Sequence, residues 1–342
     1  MDAREALASV VGGGKLTRAE AESAMASVMA GEVTAAQLGA LLAALALRGE
    51  TVDEVAGFAA AMRAAAVRVD IPAGAIDTCG TGGDRSGTFN ISTVAGLVAA
   101  SCGARVAKHG NRAASSACGS ADVLEALGAR IDLGPEEVAT SIAETGMGFM
   151  FAPRYHPAMK HAAPVRRELG IRTVFNVLGP LANPARVRRQ LLGVPTPALA
   201  VTMAGVLAEL GTDHAVVVHG GGLDEIDPSG PTRTWEVRGG SVTESSLEPE
   251  ALGLTRAGRE GIAGGDAARN AAVARAVLDG RGDGARTAVL LNAGAACYVA
   301  GLAESVREGV ALAQAAITSG ASSATLDRFV ATTQRLGAAV PS

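Results

Sequence analysis

Ala75-Ile76-Asp77-Thr78-Cys79-Gly80-Thr81-Gly82-Gly83-Asp84 decides the fold of this chain. A short strand, Ala75–Thr78, runs into a glycine cluster, and a helix is predicted just beyond it, near Ile91–Ser101. Strand, glycine turn and helix in that order open a βαβ unit, whose next strand pairs in parallel. The alternation continues with a strand over Ala104–Ala107, a helix near Ser120–Leu127, a strand over Ala129–Asp132, a helix over Pro135–Thr145 and a strand over Gly148–Phe151. Further on, Val201–Leu210 reads as helix and His214–His219 as a buried strand. Trp235–Val237 reads as a strand paired with the segment near Val242. The pattern implies a mostly parallel sheet with helices on both faces.

Upstream of Val67 the period changes. Thr17 with Glu20 and Thr51 with Glu54 have the spacing of capping boxes, and Thr34 opens a helix between them. Leu38, Leu41, Leu42 and Leu45 recur at helical spacing, and no strand is predicted before residue 70. Residues 153–185 hold five prolines and read as a helical hairpin with loops. The tail from Asp266 reads as helical, apart from the apolar stretch near Val289, which fits either type. The expected fold class is α/β, with a small all-helical domain and a larger α/β domain whose mostly parallel sheet is flanked by helices. The expected division is a helical domain over 1–69, joined in space by about 153–185, and an α/β domain over 70–152 and 186–342.

Composition narrows the function. Of 342 residues 44 are glycine and only 3% aromatic, so the core packs backbones closely and fills gaps with Val, Leu and Ala. A chain with 48% apolar and 19% charged residues is not disordered. A net charge of −4 argues against a general nucleic-acid binder, whose footprint is basic. Met1-Asp2-Ala3-Arg4-Glu5 carries charges where an export signal needs an apolar run, and Ala288–Leu302 is too short, and interrupted by Asn292 and Gly294, to span a bilayer. The four cysteines form no C-x-x-C pair and no zinc spacing. The expectation is a cytoplasmic protein with reduced thiols and no membrane or nucleic-acid partner, in which Cys79 lies near a ligand.

Two motifs mislead. Gly12-Gly13-Gly14-Lys15 suggests a nucleotide phosphate loop, but Leu16 replaces the required Ser or Thr and Ser9 the required glycine. Gly80-Thr81-Gly82 begins a dinucleotide fingerprint, but Arg85 stands at its third glycine. Three other segments carry chemistry. Gly80 to Asp84 leaves backbone amides uncovered before a helix start, with Thr88, Asn90, Ser92 and Thr93 adding small polar groups, a combination that suits an anion. Lys108-His109-Gly110-Asn111-Arg112-Ala113-Ala114-Ser115-Ser116 gathers two cations, an amide and two hydroxyls between a strand and a helix capped by Ser120. Asp224 and Glu225 follow the strand ending at His219 and suit Mg2+, which takes one or two carboxylates and leaves places for water and phosphate. His156 and His161 are off one helical face, and His214 and His219 point to opposite faces of a strand, so neither pair competes as a metal site.

Together with Gly119 to Gly128, Asn176-Val177-Leu178-Gly179-Pro180-Leu181-Ala182-Asn183-Pro184 and Leu223-Asp224-Glu225-Ile226, these segments resemble the anthranilate phosphoribosyltransferase family over essentially the whole chain. The related pyrimidine nucleoside phosphorylases build their lysine loop as Lys-His-Ser-Thr-Gly-Gly, and Lys108-His109-Gly110-Asn111-Arg112 departs from that. A non-enzymatic, nucleic-acid-binding paralogue would show a basic surface and a degraded acidic pair. The resemblance implies transfer of a phosphoribosyl group from phosphoribosyl pyrophosphate to the anthranilate amine, releasing pyrophosphate, in tryptophan synthesis. It implies that Gly80, Gly83, Asp84, Thr88, Asn90, Ile91, Ser92, Thr93, Lys108, His109, Gly110, Asn111, Arg112, Ser115, Ser116 and Ser120 hold the donor. It implies anthranilate contacts from Gly80, Asn111 and Arg166, with His109, Pro153 and His156 as walls. Ser92, Asp224 and Glu225 match its metal positions, for about two magnesium ions per subunit. Lys108 matches an electrostatic role, no general base is assigned, and the family forms a homodimer through its amino-terminal helices. Gly220-Gly221-Gly222 is about one residue shorter than the common loop, and Arg167 beside Arg166 is a rival for the substrate contact.

Overall fold

The computed structural model describes residues 1–113 and 117–338. Four helices come first: α1 (Ala3–Val11), α2 (Arg18–Ala30), α3 (Ala35–Arg48) and α4 (Val52–Ala65). The last three start at threonines whose hydroxyls accept from the amide three residues on, while that residue's side chain bonds back: Thr17 with Glu20, Thr34 with Gln37, Thr51 with Glu54. These reciprocal bonds satisfy amides that a helix start leaves open. Glu54 is fully buried and also accepts from the Leu16 amide at 2.9 Å and from Arg48, tying three helix ends together.

The chain then alternates: β1 (Ile76–Gly80), α5 (Ile91–Ser101), β2 (Val106–Gly110), α6 (Ser120–Ala126), α7 (Pro135–Thr145) and β3 (Met147–Phe151). The proline-rich segment forms α8 (Ala152–Tyr155), a 3-10 turn (Pro157–His161), α9 (Ala163–Leu169) and α10 (Phe175–Leu181). After it come β4 (Arg189–Gly193), α11 (Pro197–Glu209), β5 (His214–His219) and the hairpin β6 (Thr232–Arg238) and β7 (Ser241–Leu247). Four helices close the chain: α12 (Ala267–Leu278), α13 (Asp283–Ala300), α14 (Val306–Thr318) and α15 (Ala321–Ala338).

The seven strands are ordered β3-β2-β1-β4-β5-β6-β7; neighbours from β3 to β5 are parallel, and the two remaining pairs are antiparallel. The chain lays β1, β2 and β3 outward in one direction and then returns to set β4 on the other side of β1. Loops leaving β1 and β4 therefore part in opposite directions and open a crevice at the strands' carboxyl ends. One apolar cluster fills the face under α5, α12, α13 and α14; a second joins Leu192, Val217 and Trp235 to α4, α10, α11 and the first three helices.

Three local readings differ from the sequence expectation. β4 was not predicted, because Arg189 and Gln190 break the apolar pattern; Gln190 is nevertheless buried, donating to the Pro180 carbonyl at 2.8 Å. Ala129–Asp132 forms no strand, since its neighbours are helices: Ala129 N donates to Leu124 O, Arg130 N to Thr333 Oγ1 at 3.1 Å, and Gln334 on α15 bonds the Gly128 carbonyl. The ambiguous stretch near Val289 is helix α13, buried almost all round. Among the described residues, no helix is long and apolar enough to cross a membrane.

Candidate functional site

β1 delivers the chain to the crevice and Gly80 turns it. A Cβ on Gly80 would stand 2.2 Å from Asp224 Oδ2, and one on Gly193, its partner across the β1–β4 ladder, 1.6 Å from the Asp224 carbonyl. Only glycine at both strand ends lets the acidic turn 223–226 lie directly on the sheet. Gly82 and Gly83 then take φ of +66° and +83°, a region that favours glycine. The Gly82 amide donates to Asp224 Oδ2 at 2.8 Å and the Thr81 amide to Gly193 O at 3.0 Å.

The acidic turn is held from behind by α13, where Asn292 accepts from the Ile226 amide at 3.1 Å and donates to the Ile226 carbonyl at 3.4 Å. Glu225 accepts from the Ser92 amide at 3.1 Å, in the first turn of α5. Burial and the adjacent Asp84 push the Asp224 carboxyl up to about 7, and burial with Asp224 alongside drives Glu225 well above the carboxylate range. Closely packed, desolvated carboxylates of this kind are stabilised by a cation. Among the described residues no three His, Cys, Asp or Glu side chains surround one cation position. Asp224 and Glu225 nevertheless fit Mg2+, which uses one or two carboxylates and takes further oxygens from phosphate and water. Asn90 is fixed between the Cys118 carbonyl (3.1 Å) and Asn270 (3.0 Å), and Thr93 Oγ1 is buried with no hydrogen-bond partner.

Lys108 is not on a loop. β2 continues to Gly110, so Lys108 is a strand residue, 2% exposed, whose ammonium donates to the Thr78 carbonyl. It lies beside Asp77 and Glu225. Asp77, which sequence reasoning passed over as an ordinary strand residue, is fully buried and accepts from Asn183 Nδ2 at 2.7 Å. Asn183 also donates to the Ala107 carbonyl at 2.9 Å, so this pair joins β1, β2 and the end of the α10 segment. Burial raises the Asp77 carboxyl to about 6 even with Lys108 next to it.

In front of these charges is a cleft of about 590 Å³. Gly80, His109, Gly110, Asn111, Pro153, His156 and Arg166 all line it, as expected, together with Cys79 and the unforeseen Met62, Lys160, Phe175 and Asn176. Cys79 is inert there, its thiol pushed far up by burial. The His109 and His156 rings are 5.0 Å apart. Burial lowers His109 to about 3, with His156 contributing, and lowers His156 to about 4, so both are neutral at physiological pH. His109 Nδ1 is 3.2 Å from the Gly179 carbonyl and must donate to it, which leaves Nε2, buried and unpartnered, as an acceptor. The guanidinium of Arg166 lies 5.1 Å from the centre of the Phe175 ring, whereas Arg167 is exposed and off the cleft.

Gly83, Asp84, Thr88, Asn90, Ser92, Thr93, Lys108, Ser120, Asp224 and Glu225 are not on the cleft lining; Gly80, against Asp224, joins the two groups. Ser120 bonds the Asn111 carbonyl at 3.3 Å. Arg112 faces α6, paired with Asp122 at 3.0 Å and with Glu125. Ser115 and Ser116 lie outside the described residues.

Two family models match the chain: "Glycosyl transferase family, helical bundle domain" over residues 4–66 and "Glycosyl transferase family, a/b domain" over 73–323. Anthranilate phosphoribosyltransferases of Rubrobacter xylanophilus and Chloroflexus aggregans are each 54% identical to it, over 97% of this chain and 98% of theirs. The crystal structure of the Thermus thermophilus anthranilate phosphoribosyltransferase superposes with a TM-score of 0.92 at 47% identity, covering 98% of this chain and 100% of that one. The Saccharomyces cerevisiae enzyme in complex with PRPP and Mg gives 0.88 at 27% identity, over 97% of both chains. With this fold, this crevice and relatives of this similarity, the chain belongs to the anthranilate phosphoribosyltransferase family.

Proposed function

We propose that the cleft and the charged crevice behind it are the acceptor and donor sites of one reaction: transfer of phosphoribose from phosphoribosyl pyrophosphate to the anthranilate amine in tryptophan synthesis. The observation that carries this is the junction at Gly80, one residue that lines the cleft and packs directly against the carboxylate Asp224. An aromatic acid in the cleft and a pyrophosphate at residues 80–84 would meet there. Arg166, on the lining, is the counter-charge for the anthranilate carboxylate, in preference to Arg167. Asn111 and the walls His109, Pro153 and His156 fix the ring, with His109 Nε2 free to accept from the amine.

The amine is uncharged at neutral pH, so its nitrogen attacks C1 of the ribose without a base. The N–C1 bond forms, the C1–oxygen bond breaks with its electron pair going to pyrophosphate, and the amine proton leaves afterwards to water. Gly80, Gly83, Asp84, Thr88, Asn90, Ile91, Ser92, Thr93, Gly110, Arg112, Ser115, Ser116 and Ser120 are the positions proposed to hold the donor. Lys108 supplies fixed positive charge where the leaving group becomes more negative. Ser92, Asp224 and Glu225 would hold Mg2+, two ions per subunit, and the bound metal neutralises pyrophosphate charge. Loss of anthranilate fluorescence on adding phosphoribosyl pyrophosphate, with and without Mg2+, tests the reading; folded protein that gives no magnesium-dependent loss overturns it.

The helical domain proposed for 1–69, with about 153–185, presents Ala36, Ala40, Ala43 and Leu47 along the outer face of α3, Leu47 being 91% exposed. That exposed apolar face supports a homodimer, which we place in the cytoplasm as a biosynthetic enzyme. Leu47→Glu is expected to convert a dimer to a monomer in sedimentation velocity; a monomeric parent chain overturns the assignment.

A further inference from the structure

We propose that Arg172, outside every residue set assigned above, is a further binding residue for the pyrophosphate group of the donor. The inference rests on the functional reading just given and adds one residue to it. Arg172 is carried by the turn between α9 and α10, and that turn is braced at both ends: the Gly170 amide donates to Arg166 O at 3.3 Å, and the Thr173 amide to Asn176 Oδ1 at 2.9 Å. Its guanidinium crosses the crevice to the glycine loop. Both terminal nitrogens are 3.5 Å from the Gly82 carbonyl, and a Cβ on Gly83 would stand 1.4 Å from Nη1.

The contact is at the outer limit of a hydrogen bond, so it costs little to give up. Arg172 is exposed, and it forms no ion pair among the described residues. A planar cation with five N–H donors is thus parked over a loop that has lost its side chains there. The loop itself is short of donors, because the Thr81 and Gly82 amides already serve Gly193 O and Asp224 Oδ2. A pyrophosphate at residues 80–84 would find in Arg172 the fork of donors that bidentate phosphate recognition uses.

The test compares Arg172→Ala and Arg172→Lys with the parent chain in titration calorimetry with Mg2+, using inorganic pyrophosphate, ribose 5-phosphate and phosphoribosyl pyrophosphate as separate probes. Arg172→Ala is expected to weaken pyrophosphate and phosphoribosyl pyrophosphate by about tenfold or more, with Arg172→Lys recovering part of the loss. Ribose 5-phosphate affinity, the KM for anthranilate and the thermal midpoint are expected to stay unchanged. Unaltered pyrophosphate affinity, or an equal loss for ribose 5-phosphate, overturns the assignment. A parent chain that binds neither pyrophosphate nor phosphoribosyl pyrophosphate overturns the functional reading, and this inference with it.

Discussion

The two halves of the site treat charge in opposite ways. Behind Gly80, Asp77 and Lys108 are buried within the sheet, and Glu225 and Asp224 of the acidic turn complete the cluster beside them. In front of it, burial strips His109 and His156 of charge and leaves the wall to prolines, Met62 and Phe175, with Arg166 and Lys160 as its cations. A highly charged leaving group needs fixed counter-charge that does not reorganise during reaction, and a buried strand lysine provides it. A flat aromatic acid needs a dry slot with a cation at a defined place, and a loop-and-helix wall provides that.

Removing the buried cation is the sharpest way to break this contrast. Lys108→Ala is expected to lower the rate at saturating substrates by about 10²–10³-fold and to destabilise the fold, since Asp77 and Glu225 lose their shared counter-charge; turnover like that of the parent would show that the charge is not used. Glu225→Gln should abolish the rise in thermal midpoint that Mg2+ with phosphoribosyl pyrophosphate gives the parent chain. That rise should also be larger at pH 8 than at pH 6. Asp224, its folded value raised from 3.8 to about 7, costs stability progressively between those two pH values, and a metal that binds only the carboxylate must displace its proton at pH 6 but finds it ionised at pH 8. An equal rise at both pH values would place the metal elsewhere.

In the cleft half the effects are smaller and confined to one substrate. Arg166→Ala should raise the KM for anthranilate by about 10- to 100-fold with little change for the donor, and Arg167→Ala should leave both alone; the reverse result would exchange the two arginines. The smallest effect is spectroscopic. An ordinary imidazole titrates near 6.5, but the ring resonances of His109 and His156 should hold their neutral positions from pH 8 down to pH 5. A midpoint near 6.5 for either would mean that the wall admits charge.

Much of this was legible from spacing. The glycine loop after a strand, the lysine segment and the adjacent carboxylates are local patterns, and each came out at the end of a parallel strand near the crevice. What was not legible depends on partners far along the chain. Arg189-Gln190 reads as surface until β1 and β5 flank it. Asp77 reads as a strand residue until Asn183, more than a hundred positions on, donates to it. Arg172 belongs to no motif in the sequence, and only the fold brings Gly82 and Gly83 beneath it. Ala129–Asp132 has strand composition, but side chains of α15 take the Arg130 amide and the neighbouring Gly128 carbonyl.

The bond between Asn292 and the Ile226 backbone has a further consequence. Turns on a protein surface open locally and exchange their amide hydrogens at little cost, whereas core amides wait for the whole domain to unfold. Ile226 is in a turn, yet its amide is bonded to a side chain on a helix buried in the centre of the molecule. Its hydrogen should therefore exchange on the timescale of global unfolding, making the acidic turn part of the molecule's last structure to open.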